Sequence, residues 1–334
     1  MSIDQFTPRY LTTAINEVKA PKSRLMDLVF HRREESPAEI VDFEIVTGNQ
    51  KLAKFVARGR EAHVVDKQGR KVVSFRIPSI REKTPFKAAE FLNRTAVGTS
   101  LYQTAGDLQA AAQKLAVAQL AEFKNRTTRT KEQLCAQALT GTITITKEDG
   151  DLSIDFGLAT AHKPVLATGA KWDAAVDVDI PANLRAWKRL IARDSPYSAT
   201  DVILGETAAD KFLSNTKVLE LLKANNMKVG ALDLTTNSDF IGSFNGLRFW
   251  VNEEQYQTDA GVATNYVAAD AAIMFADSEA FKFWHGPVDD LDANFGTFEF
   301  FAKTWREKDP SLRAERPSTA PLPVIHNANA LVNA

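Results

Sequence analysis

Alternation of apolar and polar residues marks the first strands. Val41, Phe43 and Ile45 alternate with Asp42 and Glu44, and Val73, Phe75 and Ile77 alternate with Ser74 and Arg76. This is the period-2 pattern of half-buried strands. Residues 66–69 place Asp66 first and Gly69 fourth in a turn, flanked by Val64-Val65 and Val72-Val73, so a hairpin is expected there. A two-stranded ribbon with so few apolar residues is marginal alone and must lie on another surface. Helical period follows. Leu108, Ala112, Leu115, Ala116, Leu120 and Phe123 step by three and four, and no Pro or Gly interrupts 107–124. A long helix is predicted over about 103–140, roughly 57 Å if continuous. Residues 125–130 weaken the stripe, and Thr130 with Gln133 has capping-box spacing. That predicts a restart at Thr130 before Gly141 ends the helix.

Ile143 and Ile145, then Leu152, Ile154 and Phe156, alternate on either side of a turn at 147–150, which predicts a second hairpin. From 180 the pattern becomes alternating helices and strands. Pro181 suits a first helical turn, with Leu184, Trp187 and Ile191 as its apolar stripe. Residues 202–204 form a short buried strand, and a helix over 207–224 carries Phe212, Leu219 and Leu222 on one face. Further strands are expected at Leu247, Phe249 and Val251, at 271–275, and at Phe298 and Phe300. Residues 180–280 therefore read as a compact α/β domain. Residues 1–35 read as an extended arm anchored by Leu25-Met26 and Leu28-Val29-Phe30, and the Pro-spaced stretch from Asp309 as an irregular strand or tail.

Composition excludes several classes. The 334 residues are 44% apolar and 25% charged, ordinary globular proportions that exclude a disordered chain. One cysteine, Cys135, cannot build a disulfide framework or a thiolate zinc cluster. It falls in the apolar helix stripe and is expected to be a buried, inert thiol. No apolar run of about 18 residues offers a membrane span. Residues 1–8 lack a signal-peptide pattern, so a cytoplasmic chain is expected.

The formal charge of −1 conceals a segregation. Residues 51–87 hold eleven basic groups against three acidic, a net +8, whereas residues 141–300 hold thirteen against twenty-four, a net −11. A basic run of this density fits nucleic-acid binding, docking on an acidic surface of another copy, or a solvated face. Arg58, Arg60, Lys67, Arg70, Lys71 and Arg76 are the candidate inter-subunit contacts.

Catalytic chemistry is not visible. No phosphate-binding glycine loop, nucleophile elbow, HExxH or Cys/His metal spacing occurs, and the five histidines are far apart. No catalytic, cofactor or metal residue is assigned, and no cofactor is expected. Asp290, Asp292 and Asn294 begin like a calcium loop, but Phe295 holds the sixth place and Phe301 the twelfth. An acidic loop is the better expectation. The five tryptophans are expected as core or interface anchors.

The order of elements, together with two stretches, carries a resemblance. Residues 134–157 (LCAQALTGTITITKEDGDLSIDFG) look like a helix, small-residue turn and hairpin of the phage capsid protein E family. Residues 300–325 (FFAKTWREKDPSLRAERPSTAPLPVI) are similar to its closing segment, where a Trp, an Asp-Pro and a "SAPL"-like step recur. The chain thus resembles the major capsid protein of lambda-like tailed bacteriophages. The resemblance implies an α+β, HK97-like fold. Its parts would be an N-terminal arm (1–35), an extended hairpin loop (36–92), a peripheral domain with the spine helix (93–179 and 286–334) and an axial α/β domain (180–285). It further implies a structural, non-enzymatic head subunit that assembles in the host cytoplasm into pentamers and hexamers of an icosahedral virion. Partners would be other copies, scaffolding, portal and decoration proteins, and packaged double-stranded DNA held without sequence-specific binding. No membrane partner is implied. The alternatives are an encapsulin-like nanocompartment shell and a soluble α/β enzyme.

Overall fold

The computed structural model describes residues 7–46, 70–87, 105–146, 150–174, 178–224, 239–258, 260–294, 296–308 and 312–334. Along the chain come helices α1 (Pro8–Glu17) and α2 (Arg24–Leu28), then strands β1 (Arg33–Glu35), β2 (Ile40–Val46), β3 (Arg70–Arg76), β4 (Ile80–Arg81) and β5 (Thr84–Lys87). Helix α3 (Ala105–Leu139) leads to β6 (Thr142–Ile145) and β7 (Leu152–Asp155). The next unit holds α4 (Ile180–Asp194), β8 (Asp201–Leu204), α5 (Glu206–Ser214), α6 (Thr216–Ala224), β9 (Phe240–Phe244) and β10 (Leu247–Val251). After β11 (Gln255–Gln257) and β12 (Ala263–Asn265) follow β13 (Ala272–Phe275), β14 (Phe281–His285), β15 (Phe301–Glu307), β16 (Leu312–Thr319), β17 (Pro321–Ile325) and β18 (Leu331–Asn333).

The N-terminal segment is helical where an extended arm was expected. The Thr7 hydroxyl caps α1 by accepting from Tyr10 N at 3.4 Å. Pro8 fills the first turn, where its missing N–H leaves no donor unpaired. Leu11 and Ile15, one turn apart, bury on the same face. Leu25, Met26, Val29 and Phe30 enter the main core, as the apolar anchors predicted.

Helix α3 is unbroken over 35 residues, about 52 Å at 1.5 Å per residue. The restart expected at Thr130 does not occur. The Thr128 and Thr130 hydroxyls instead donate to the carbonyls of Lys124 and Arg126, at 2.8 and 3.2 Å. A threonine satisfied by the i−4 carbonyl continues a helix rather than capping a new one. The helix ends at Gly141, whose φ of +93° excludes most side chains. A Cβ there would also come within 2.8 Å of Leu158.

Strands β2 and β3 pair antiparallel over seven residues, from Ile40 opposite Arg76 to Val46 opposite Arg70. The turn expected at 66–69 lies outside the described residues. The predicted second hairpin is β6–β7, with Ile143 opposite Ile154 and both fully buried. The helix expected over 207–224 is two helices, α5 and α6, separated by Asn215. The Asn215 side chain accepts from Val218 N at 3.1 Å and so caps α6. Val218 takes the buried place assigned to Leu219, which is 39% exposed.

The five-stranded sheet has order β18-β13-β8-β10-β9. Every residue of β8 and β13 is buried, because the sheet is covered on both faces. Val202, Leu204, Ala272 and Met274 point into one core with α4, α5 and α6. Ile203, Ile273 and Phe275 point the other way, into the core beneath α3. The C-terminal stretch is more regular than expected. β15 pairs with β16, which also pairs with β4 and β5. β17 pairs with β14, whose other edge carries β1 in parallel. β18 crosses back to join β13. The strand expected at Phe298 and Phe300 begins instead at Phe301. Phe300 leaves the sheet to pack under α1 against Leu120 and Phe123.

Phe249 stacks on Phe212 at 4.5 Å between ring centroids, inside the second core. Phe249→Ala should destabilise the subunit by about 3–5 kcal/mol. Urea unfolding of the two proteins tests this, and a loss below about 1 kcal/mol would contradict the packing described.

Candidate assembly surfaces and the charges buried beneath them

The β2–β3 ribbon holds the contact candidates that fall within the described residues. Arg58, Arg60 and Lys67 lie outside them. Arg70 and Lys71 occupy the far end of β3, opposite Val46 and Ile45. Arg76, at the base, pairs with Glu39 of the same chain at 2.7 Å while staying 65% exposed. Val41 and Phe75, directly opposite one another, rest half-buried on the main core. Further along, Arg81 pairs with Asp289 at 3.3 Å and Lys83 with Glu307 at 3.0 Å. Glu82 takes Arg126 of α3. These exposed pairs are each worth about 0–1 kcal/mol. They match the positive charge at the foot of the ribbon within the subunit. A groove of about 1090 Å³ opens there, lined by Pro37, Arg76, Ile77, Leu134, Pro287 and Pro321.

Beneath this surface α3 buries charge. Its inward face runs Leu120 and Phe123, then Lys124, Thr127, Thr128, Lys131 and Glu132, then Leu134, Cys135, Ala138 and Leu139. Lys124 Nζ donates to the carbonyls of Ile15 and Asn16, both at 2.9 Å, and of Val18 at 2.6 Å. Burial lowers its pKa against the attraction of Glu299. Lys131 Nζ lies 4.1 Å from the centre of the Phe300 ring and 3.6 Å from Glu299 Oε1. Burial lowers Lys131 to about 8, again against Glu299. Glu132 accepts the backbone N–H groups of Leu25 and Met26. Burial nevertheless pushes it up to about 7. His285, opposite on β14, is pushed down to about 4 by burial and then by Lys131. Charged residues at stripe positions were the signal for this cluster, and periodicity alone did not assign them a role.

The acidic loop also turns inward. The Asp290 side chain of this loop is fully buried. It accepts from Lys303 Nζ at 2.8 Å and from Asp292 N at 2.9 Å, and pairs with Arg316. Burial opposes its charge, but the bonds from Lys303 and Asp292 N and the charges of Lys303 and Arg316 outweigh it, and its pKa lies below the ordinary value. A carboxylate already matched by two cations is a poor ligand for a third. Among the described residues no cluster of His, Cys, Asp and Glu is placed to hold a metal ion. Cys135 is fully buried, and burial holds its thiol well above the usual pKa. Glu315 on β16 is buried too, and burial alone pushes it up to about 8. No helix among the described residues is long and apolar enough to cross a membrane.

A 35-residue helix, a two-stranded ribbon and a five-stranded sheet covered on both faces make up the architecture. Solved structures share it. A prophage capsid protein from E. coli CFT073 matches with a TM-score of 0.70 at 15% identity, covering 98% of each chain. A phage-related protein from Bordetella bronchiseptica RB50 gives 0.51 at 12% identity, covering 97% of this chain and 95% of that one. The capsid of cyanophage A-1(L) gives 0.50 at 11% identity, covering 93% and 92%. The fold is thus the HK97-like capsid fold. No curated protein matches at the sequence level. The family model of phage major capsid protein E matches residues 7–334, and the chain belongs to that family. It is a phage major capsid protein, a structural component of the virion, and the encapsulin-like and soluble-enzyme alternatives give way to that assignment.

Glu315 holds its proton in the folded subunit up to about pH 8, against an ordinary 4.5. The stability this contributes is complete below about pH 4.5 and is lost as pH rises through about 8. Glu315→Gln should therefore lose roughly 1–3 kcal/mol less than the parent between about pH 5.5 and 8.5, at 1.36 kcal/mol per pKa unit. Urea titrations at both pH values measure this, and parallel losses in the two proteins would contradict a neutral buried acid.

Proposed function

We propose that copies of this chain assemble through pentamers and hexamers into an icosahedral head enclosing double-stranded DNA, with no catalytic role and no cofactor. Membership of the capsid family supports the reading. The observation that carries it is the ribbon. Residues 51–87 bear a net +8, the basic groups described at its foot are already paired, and residues 141–300 carry a complementary net −11. A ribbon so poor in apolar residues needs a surface to lie on, and an adjacent copy provides one of opposite charge. Arg58, Arg60, Lys67, Arg70 and Lys71 would make that contact, with Arg76, paired to Glu39 of its own chain, at its foot.

In this reading residues 1–35 are the arm, 36–92 the extended loop, 93–179 with 286–334 the peripheral domain, and 180–285 the axial domain. Strand β18 ties the last part into the axial sheet, and β14 pairs with β17. Scaffolding, portal and decoration proteins would be partners, with DNA packaged without sequence-specific contacts and assembly in the host cytoplasm.

The triple variant Lys67→Glu, Arg70→Glu, Lys71→Glu should abolish particles while leaving folded, soluble subunits. Raised salt should slow assembly of the parent by screening the same contacts. Electron microscopy and circular dichroism of the variant test this, and normal shells from it would sink the proposed contact.

A further inference from the structure

Two buried charges of α3 each end on a helix of the N-terminal segment, and each has the sign that its helix end attracts. Lys124 takes three carbonyls from the last turn of α1 and the residue beyond it, Ile15, Asn16 and Val18. Helix C-termini present unpaired carbonyls and the negative end of the helix dipole, which favour a cation. Glu132 takes two N–H groups from the first turn of α2, Leu25 and Met26, at the end that favours an anion. The two residues are eight apart, about 12 Å along one face of α3.

The apolar contacts divide the same way. Leu11 and Ile15 of α1 lie in a small cluster with Leu120, Phe123, Phe300 and Ala302. Leu25, Met26, Val29 and Phe30 belong to the main core instead. Between the helices, 18–23 contributes no apolar residue to any core, and Lys19, Ala20 and Lys22 are exposed. Thr12 adds two hydrogen bonds from α1 to Ala302, its hydroxyl accepting from Ala302 N at 3.2 Å and donating to Ala302 O at 3.5 Å. Phe300 lies beside both cations, 5.5 Å from Lys124 and 4.1 Å from Lys131. Glu299 next to it pairs with Lys131 and with Arg33, which follows α2.

We infer that the N-terminal segment is a strap held on α3 by two separate charge latches, so that α1 can leave the subunit while α2 and the core stay folded. Lys124 is the positioning residue for α1 and Glu132 for α2. Release of α1 uncovers the Leu120, Phe123 and Phe300 floor and frees residues 7–23 as a tether.

Hydrogen exchange of the full chain, resolved by peptide, tests the inference. Lys124→Met, of similar length without the charge, should raise exchange over 8–17 at least tenfold while 24–30 and β8 stay within twofold. Glu132→Gln should do the reverse, raising 24–30 and sparing 8–17. Leu11→Ala leaves both charges in place and should repeat the first pattern. Lys124→Arg should restore part of the protection over 8–17 through its retained charge. Unchanged exchange over 8–17 in Lys124→Met, or equal increases over 8–17, 24–30 and β8 in Lys124→Met or Leu11→Ala, would overturn separate release.

Discussion

One face of α3 decides how the rest of the subunit is arranged. Between Phe123 and Leu134 that face passes from apolar to charged and back while staying buried. An unpaired ammonium or carboxylate in such a place costs several kcal/mol. Each charge is therefore met by something brought from far along the chain. The end of α1 reaches Lys124, the start of α2 reaches Glu132, and Glu299 with the Phe300 ring reaches Lys131. The N-terminal helices and the loop before β15 are thus parts that the spine cannot be buried without.

The second organising feature is the five-stranded sheet, whose strands β8 and β13 are shared between two cores. Alternate residues of one strand face opposite ways, so the core with α4, α5 and α6 and the core beneath α3 are joined by the strands themselves. Strand β18 reinforces the joint by crossing from the C-terminal segment into the same sheet. From this base the ribbon projects, held at its foot by Val41 and Phe75 and by cis ion pairs.

Much of this was legible in the chain. Period-2 and period-3.6 patterns placed β2, β3, β6, β7, α3 and α4, and the stretches at 134–157 and 300–325 carried the family. The misses share a physical cause, which is that tertiary partners overrule local signals. Thr128 lay in a stretch that weakened the stripe and Thr130 looked like the cap of a restarted helix, and both instead bond back to their own helix. Asn215 looked like an interior helix position and is a cap. Phe298 and Phe300 had strand alternation, but the α1 pocket takes Phe300 out of the sheet. Asp290 read only as part of an acidic loop, because nothing local reveals that Lys303 and Arg316 close over it. Of the contact candidates, the charge count could find the basic stretch but not that Arg76 is paired to Glu39.

The central claim is that this subunit is built to meet copies of itself. Sedimentation velocity of the purified full chain, with negative-stain microscopy of the same sample, tests it most directly. The account predicts rings or closed shells in the megadalton range. A discrete species of one or two 36.8 kDa chains at every concentration and salt examined would contradict it.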